Sequence, residues 1–311
     1  MTPIRCVAVI GTGVIGASWA ACFLARGLDV AAADPAPGAE AALRQAVAAH
    51  WPAMTAMGLA PGASPDRLRF LPSAEDAAAA ADFVQENGPE RLDVKRELLA
   101  RLDAAAAPHV VLASSSSTLM MTEVQGACAH PGRVVLGHPF NPPHLIPLVE
   151  VCGGRDTTED AVAAAMAFYA ACGKHPIRLR REMRGHVANR LQAALWQEAI
   201  HLVREGVASV ADVDAAIAHG PGLRWALLGP FLNLHLSGGP GGIGHMLDHL
   251  GPPTEAMWRD LGRVTLDDAT KAAVSGGVAK VLAGCDLPAV VRQRNVLLTE
   301  LLRRKAAGGL P

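Results

Sequence analysis

The sequence predicts an α/β domain followed by an all-helical C-terminal domain, and three observations support that fold class. Short β-like runs alternate with Ala-rich helical stretches up to about residue 180. A glycine-rich turn directly follows the first of these runs. Beyond about Met183 no convincing strand occurs, and the apolar residues take a helical spacing. We therefore expect one domain at residues 1–184 and a second at 185–311.

The β-like runs are short and apolar, and they are separated by stretches long enough for crossover helices. Such alternation predicts right-handed βαβ units and a parallel sheet covered by helices on both faces. We expect a break at Pro52 in the predicted helix 39–57. The predicted strands lie at 6–10, 28–33, 82–85, 109–113 and 133–137, and the predicted helices at 39–57, 75–81 and 89–107.

The C-terminal part has the spacing of packed helices. Apolar residues between Val187 and Leu202 predict one largely buried helix. Glycine/proline clusters at 220–230 and 237–242 are expected to separate the helices that follow. A last helix is predicted at 288–305, and its basic residues indicate a solvated face rather than a nucleic-acid patch.

Composition excludes several classes of partner. The chain has 311 residues and a mass of 32.3 kDa, with 28 Lys+Arg against 29 Asp+Glu. This near-neutral charge argues against nucleic acid and against an anionic membrane surface. We find no leader-like segment and no apolar run long enough to span a membrane, and the six cysteines are scattered. A cytoplasmic protein with free thiols that handles a small molecule is therefore expected.

The glycine-rich turn reads Gly11-Thr12-Gly13-Val14-Ile15-Gly16 and lies between a predicted strand and a predicted helix. The first glycine of such a motif permits the tight turn, the second admits a pyrophosphate, and the third allows close packing of helix on strand. The amides of Val14 and Ile15 would then face the phosphates from the helix N-terminus. This pattern predicts a Rossmann-type dinucleotide-binding domain, although a tight turn without a ligand is the alternative.

An acidic residue predicts which dinucleotide binds. Asp34 closes the second predicted strand, where a carboxylate accepts hydrogen bonds from the adenosine ribose and repels a 2′-phosphate. Pro35-Ala36-Pro37 follow, so the local sequence offers no arginine to reverse this preference. We expect NAD rather than NADP as the cofactor.

A second set of polar residues predicts acid–base chemistry. His138 ends a β-like run at the carboxyl edge of the predicted sheet, where such folds bind ligands. Glu150 ends or lies within another predicted strand. It could accept a hydrogen bond from the His138 imidazole and raise the basicity of the other ring nitrogen. Ser117 and Asn189 could supply neutral hydrogen bonds to a substrate oxygen. By themselves these residues fit a structural His–Glu pair as well as a catalytic one.

The chain resembles the L-3-hydroxyacyl-CoA dehydrogenase family over almost its whole length. The resemblance rests on the spacing of Ser117, His138 and Glu150 and on segments 113–151 and 185–191. Within that family it is similar to the branch of lambda-crystallin/L-gulonate 3-dehydrogenase and L-carnitine dehydrogenase, on segments 85–92, 138–150 and 222–226. His186 departs from the family, because many relatives have Phe at that place.

The resemblance implies roles for individual residues. It implies that His138 is the general base, that Glu150 orients it, and that Ser117 and Asn189 contact the reacting oxygen. It also implies a homodimer formed through the helical domain. By the same resemblance, the residues near the bound cofactor are Glu90 and Lys95 at the NAD ribose and Asn141 at the nicotinamide.

Three functions remain open from the sequence. A dehydrogenase of a free L-3-hydroxy acid, gulonate-like or carnitine-like, would need a group that binds the carboxylate, and Arg224 is the candidate. Arg224 could equally order its own loop or a dimer contact. A dehydrogenase of CoA thioesters and a non-enzymatic, crystallin-like protein are the alternatives.

Other candidate sites are weaker. His245 and His249 are spaced to share one helix face, but no third ligand accompanies them, so we expect no metal site. The serine run 114–117 lacks the glycine-framed turn of a hydrolase nucleophile.

Overall fold

A computed structural model describes residues 3–309 of the chain. The chain divides into two compact units, Met1–Asn189 and Arg190–Pro311. The first unit contains the sheet, and the second consists of helices. The predicted fold class is confirmed: a Rossmann-type α/β domain precedes an all-helical one.

The first unit is built on an eight-stranded sheet with the order β3-β2-β1-β4-β5-β6-β7-β8. All neighbouring strands are parallel except β6 and β7, which are antiparallel. Strand order reverses between β1 and β4, and in such sheets the ligand cleft lies at the carboxyl ends of the strands around that reversal. The strands are β1 (Cys6–Ile10), β2 (Asp29–Ala33), β3 (Leu68–Phe70), β4 (Phe83–Glu86), β5 (Val111–Ser114), β6 (Val134–Pro139), β7 (Leu148–Gly153) and β8 (His175–Arg178).

Helices cover both faces of this sheet, as predicted. Alternate side chains of one strand enter opposite faces, so Val7 and Val9 lie in one buried cluster while Ala8 and Ile10 lie in the other. The first cluster is the aromatic one, with Trp19 stacked on Phe23 at 5.0 Å between ring centroids. The helices are α1 (Val14–Ala25), α2 (Ala39–Met57), α3 (Ala74–Ala79), α4 (Leu92–Ala105), α5 (Met121–Gln125) and α6 (Glu159–Ala171).

The structure corrects the sequence prediction at several places in this unit. The predicted strands all form, but β3 and β8 were not predicted, and the sheet is not parallel throughout because β7 runs against β6. Pro52 lies inside a continuous α2 rather than interrupting it. Proline removes one helical hydrogen bond, and Ala48, whose carbonyl loses its donor, is exposed on the helix surface where water can replace that donor.

The second unit consists of helices that bury few side chains of their own. The helix predicted near Val187 is present, but the expectation that it is largely buried is wrong for the single chain, since none of its residues is buried. Leu191 and Trp196 on it are 61% and 55% exposed. The helices are α7 (Ala188–Arg204), which begins at the end of the first unit, then α8 (Val210–Ala218), α9 (Pro221–Trp225), α10 (Pro230–Ser237), α11 (Gly242–Asp260), α12 (Asp268–Val281) and α13 (Leu287–Gly308).

The glycine/proline clusters separate helices as expected. Pro221 and Pro230 each lie in the first turn of a helix, where a missing N–H costs nothing. Within residues 3–309, no helix combines the length and the apolar character needed to cross a bilayer.

Candidate functional site

The glycine-rich turn between β1 and α1 has the geometry that a dinucleotide loop needs. Gly11 has φ +82°, and a Cβ on it would lie 2.8 Å from the Asn87 carbonyl oxygen. A Cβ on Gly16 would lie 1.9 Å from the Gly11 carbonyl oxygen, so only glycine allows this approach of helix to strand. Gly13, in contrast, has no atom within 4 Å of a Cβ position. The open space beside Gly13, at the N-terminus of α1, suits a phosphate group.

Asp34 lies where β2 ends and is held by backbone donors. One carboxylate oxygen accepts from the Thr12 amide at 2.7 Å and from the Thr12 hydroxyl at 3.2 Å, and the other accepts from the Ala36 amide at 2.9 Å. Asp34 and Gly13 line one cavity of about 610 Å³. A pocket of this size accommodates a small-molecule group such as a nucleoside.

An arginine that the sequence reasoning missed lies in the wall of the same cavity. Arg101, on α4, lines it together with Asp34. Its guanidinium is already paired with Glu75, and the NH2–Oε2 distance is 3.0 Å. Its position could not be found from the residues around Asp34, because α4 is distant in sequence.

A buried ion pair lies beneath the loop that follows β4. The Lys95 ammonium donates to both Glu86 oxygens, at 2.8 and 2.9 Å, and to the Gly88 carbonyl at 3.1 Å. The Lys95 and Glu86 side chains are 1% and 0% exposed, and the Ser114 hydroxyl also donates to Glu86. Lys95 thus anchors the loop through the Gly88 carbonyl. Glu86 and Ser114 were not predicted from the sequence as site residues.

Glu90 organises the serine loop, by which we mean residues 115–118. Its Oε1 accepts from the Ser117 and Thr118 amides at 2.9 and 2.7 Å and from the Ser116 hydroxyl at 2.8 Å. Burial raises the pKa of Glu90, but these hydrogen bonds and the Lys95 charge, 4.0 Å from Oε2, outweigh it and lower that pKa. Glu90 therefore holds the backbone that carries Ser117.

A chain of buried hydrogen bonds links the sheet to this loop. The Tyr169 hydroxyl donates to the Gln85 carbonyl oxygen at 2.6 Å, and the Gln85 amide donates to the Ser115 hydroxyl at 2.8 Å. Ser115 in turn donates to the Asn87 side chain at 2.7 Å, next to the glycine-rich turn. Tyr169 and Gln85 are 0% exposed, so the bond between them is made in a low-dielectric interior, whereas the two bonds of Ser115 are partly buried.

His138 and Glu150 face each other across the antiparallel pair β6–β7. They are direct Cα partners in the register, which places their side chains on the same face of the sheet. His138 Nδ1 lies 2.9 Å from Glu150 Oε2, and the side chains are 6% and 0% exposed. The residues allowed this pairing and the family resemblance implied it, and the structure brings the two groups together.

The other Glu150 oxygen faces the beginning of α7. Oε1 accepts from the Val187 and Ala188 amides at 2.8 and 3.0 Å, where the helix dipole favours negative charge. Burial raises the pKa of Glu150, but the hydrogen bonds from His138, Ala188 and Val187 more than compensate, so the pKa lies below its ordinary value. An ionised carboxylate only accepts, so His138 Nδ1 carries the proton and Nε2 has the free lone pair.

The remaining predicted residues are distributed around this pair. The Asn189 side-chain amide donates to the Ser117 carbonyl at 3.3 Å, so it contacts the serine loop. Asn141 is exposed in the loop after β6. Arg224 is exposed on α9 in the second unit. Asn189 directly follows Ala188, whose amide donates to Glu150, and Glu150 pairs with His138. Hydrogen bonds within the first unit therefore link Ser117, Asn189, His138 and Glu150.

Family models match nearly the whole chain. The 3-hydroxyacyl-CoA dehydrogenase, NAD binding domain, matches residues 6–183, and the 3-hydroxyacyl-CoA dehydrogenase, C-terminal domain, matches residues 185–273. An L-carnitine dehydrogenase of Streptomyces griseus subsp. griseus is 53% identical over 99% of this chain and 91% of its own length. One from Pseudomonas aeruginosa is 47% identical over 97% of this chain and 94% of its own.

Solved structures of dehydrogenases also resemble this chain. A 5-formyl-3-hydroxy-2-methylpyridine 4-carboxylic acid 5-dehydrogenase, described as an NAD⁺-dependent dismutase, has a TM-score of 0.83 and 27% identity, covering 97% of this chain and 98% of that one. A 3-hydroxyacyl-CoA dehydrogenase from Archaeoglobus fulgidus has a TM-score of 0.67 and 26% identity, covering 96% and 98%. The cofactor of this fold is NAD, and the turn at Gly13 and the cavity at Asp34 fit it.

The buried ion pair should be essential to stability. Lys95→Met leaves the Glu86 carboxylate buried without a counter-charge, and we expect the free energy of unfolding to fall by about 3–5 kcal/mol. The double variant Glu86→Gln/Lys95→Met removes both charges and should recover most of that loss. Urea unfolding of the three proteins measures this, and a loss below about 1 kcal/mol for Lys95→Met would contradict the assignment.

Proposed function

The chain belongs to the 3-hydroxyacyl-CoA dehydrogenase family, and on that premise we propose that it oxidises the 3-hydroxyl of a free L-3-hydroxy acid, L-carnitine, with NAD. The family makes it an NAD-dependent oxidoreductase acting on a hydroxy acid. The substrate and the roles of individual residues are the proposal.

One observation carries the choice of substrate. Relatives from Streptomyces, Nocardiopsis, Pseudomonas and Burkholderia are 45–53% identical over 96–100% of this chain and are named L-carnitine dehydrogenase. The solved 3-hydroxyacyl-CoA dehydrogenase from Archaeoglobus fulgidus is 26% identical. The higher identity to the carnitine enzymes favours the free hydroxy acid over a CoA thioester, which is the second candidate.

The His138–Glu150 pair supplies the acid–base chemistry. His138 Nε2 takes the proton of the 3-hydroxyl while the C–H bond at carbon 3 breaks, and a 3-keto acid forms. NAD held at the glycine-rich turn and beside Asp34 would supply the acceptor for the hydride from carbon 3. The imidazolium that results is stabilised by Glu150, 2.9 Å away, whose own charge is held by the Val187 and Ala188 amides. In the reverse reduction His138 returns the proton to the oxygen.

The serine loop positions the reacting oxygen in this proposal. Ser117 and Asn189 offer neutral donors, and Glu90 holds the backbone of the loop through several hydrogen bonds. Neutral donors suit a carbonyl that gains no full charge when the proton and the hydride leave together. Arg224 would bind the substrate carboxylate, a group that a thioester lacks at the same position.

The second unit favours a homodimer. It exposes many large apolar side chains, and among its described residues Val210, with 9% of the residue exposed, is the only buried apolar side chain. A helical domain with so little core needs burial against a partner, and a second copy is the simplest one. The largest exposed side chains of this unit include Trp196, Trp225, Phe231, Met257 and Trp258.

All six cysteines are free thiols, which is consistent with the cytoplasmic location that we propose.

The preference among substrates tests the proposed function. We expect NADH formation from L-carnitine with a kcat/KM at least about tenfold above that with L-gulonate, 3-hydroxybutyrate or 3-hydroxybutyryl-CoA. Absorbance of NADH at saturating NAD measures the four rates. A preference for the thioester would replace the proposed function by the second candidate.

His138→Gln should lower kcat by about 10²- to 10⁴-fold, the contribution of a general base, while NAD affinity is retained. His109→Gln is the matched control, because His109 is an exposed histidine of the same unit. Steady-state rates and cofactor titration distinguish the two effects. Activity within about threefold of wild type in His138→Gln would remove the base assignment.

Arg224→Ala should raise KM for L-carnitine by about tenfold or more, the loss of one charge-assisted pair, with little change in KM for NAD. Arg292→Ala, another exposed arginine of the second unit, should leave both values near wild type. An unchanged KM for L-carnitine in Arg224→Ala would exclude the carboxylate contact.

Light scattering coupled to gel filtration should give about twice the 32.3 kDa mass of one chain. Phe231→Glu, at a side chain that is 74% exposed, should shift the distribution toward the monomer if this face is in the interface. A wild-type protein that elutes with the mass of one chain at micromolar concentration would contradict the dimer.

A further inference from the structure

His186 has an unusual backbone conformation next to the His138–Glu150 pair. It has φ +53° directly after Gly185 at φ +77°, and among residues 3–309 it is the only non-glycine residue with positive φ. A bulky side chain adopts this conformation only when its surroundings hold it there. The His186 amide donates to the Met183 carbonyl at 2.9 Å, and its side chain is buried, with 4% of the residue exposed.

The side chain of His186 makes one defined hydrogen bond. Its Nε2 lies 3.0 Å from the Ser116 carbonyl oxygen. A carbonyl only accepts, so Nε2 carries the proton and the neutral ring has its lone pair on Nδ1. Burial lowers the pKa of His186, and the neighbouring His138 lowers it further. The hydrogen bond to the Ser116 carbonyl and the charges of Glu150 and Glu90 raise it, but the net effect is a pKa below the ordinary value. His186 is therefore neutral at neutral pH.

Three parts of the site meet at this residue. Its ring hydrogen-bonds the serine loop through Ser116 and lies 5.1 Å, between ring centroids, from His138. The next two residues along the chain, Val187 and Ala188, donate their amides to Glu150. A displacement of His186 would thus change the serine loop and the support of Glu150 at the same time.

We propose that His186 is a positioning residue for the hydride-transfer reaction, whose Nε2–H bond to Ser116 fixes Ser117 relative to the His138–Glu150 pair. The expected change in kcat rests on the proposed function, whereas the expected change in hydrogen exchange of the serine loop does not. The strained backbone is what places the ring between the serine loop and His138, and a residue without an ε donor cannot make the bond.

Two variants separate the hydrogen bond from the volume of the side chain. His186→Phe keeps a ring but loses the donor, whereas His186→Gln can present an amide N–H near the position of Nε2. Phe and Gln are equally unsuited to positive φ, so the free-energy cost of this backbone conformation is matched between the two variants. We expect kcat to fall about 10- to 100-fold in His186→Phe and to stay within about threefold of wild type in His186→Gln, with KM for NAD unchanged in both.

Hydrogen exchange supplies a readout that does not depend on the substrate. The Ser117 and Thr118 amides, which donate to Glu90, should exchange about five- to tenfold faster in His186→Phe than in wild type or His186→Gln. The His130 amide, bonded to Asp103, is the internal control and should not change. Equal exchange and equal kcat in the two variants would overturn the proposal.

The two possible failures can be told apart. If the wild-type protein oxidised none of the four test substrates, the proposed function would fail, while the exchange comparison would still decide whether His186 holds the serine loop. If the wild-type protein were active and His186→Phe lost stability, thermal unfolding of both variants would reveal it. An equal fall of Tm and of kcat in both variants would show a structural role and would also overturn the proposal.

Discussion

The hydrogen bond between His138 and Glu150 is the interaction on which the rest of the site depends. It forms because β7 runs antiparallel to β6 and places the two residues opposite each other, 2.9 Å apart between Nδ1 and Oε2. A buried carboxylate is costly unless it is hydrogen-bonded, and the amides that begin α7 complete its set of donors. One carboxylate therefore ties a strand, an imidazole and a helix N-terminus together.

The rest of this edge of the sheet is held by a second set of polar contacts, most of them buried. Glu86 and Lys95 support the loop after β4, and Glu90 at the end of that loop holds the backbone of the serine loop. The Tyr169–Gln85 bond extends this set into the aromatic cluster. These hydrogen bonds restrict the conformations of the loops that carry the candidate site residues.

The two units differ in the size of their buried cores and in the candidate site residues that they contain. The first has two packed clusters, one on each face of the sheet, and contains the glycine-rich turn, His138, Glu150, Ser117 and Asn189. The second has an apolar surface and little interior. The first unit therefore contains the residues proposed for cofactor contact and acid–base chemistry, while substrate contact and association are the roles proposed for the second.

Local patterns in the sequence determined the fold class and the glycine-rich turn, because alternating periodicity and turn glycines act over short stretches of chain. The family resemblance implied the pairing of His138 with Glu150, but the bond itself needs the two strands to run in opposite directions. Tertiary structure alone decided the antiparallel direction of β7, the Arg101 side chain in the cavity at Asp34, and the ion pair of Glu86 with Lys95. It also decided the strained backbone of His186. These features arise from contacts between segments distant in sequence or from the packing of a loop, and strand direction and burial exist only once the sheet has formed.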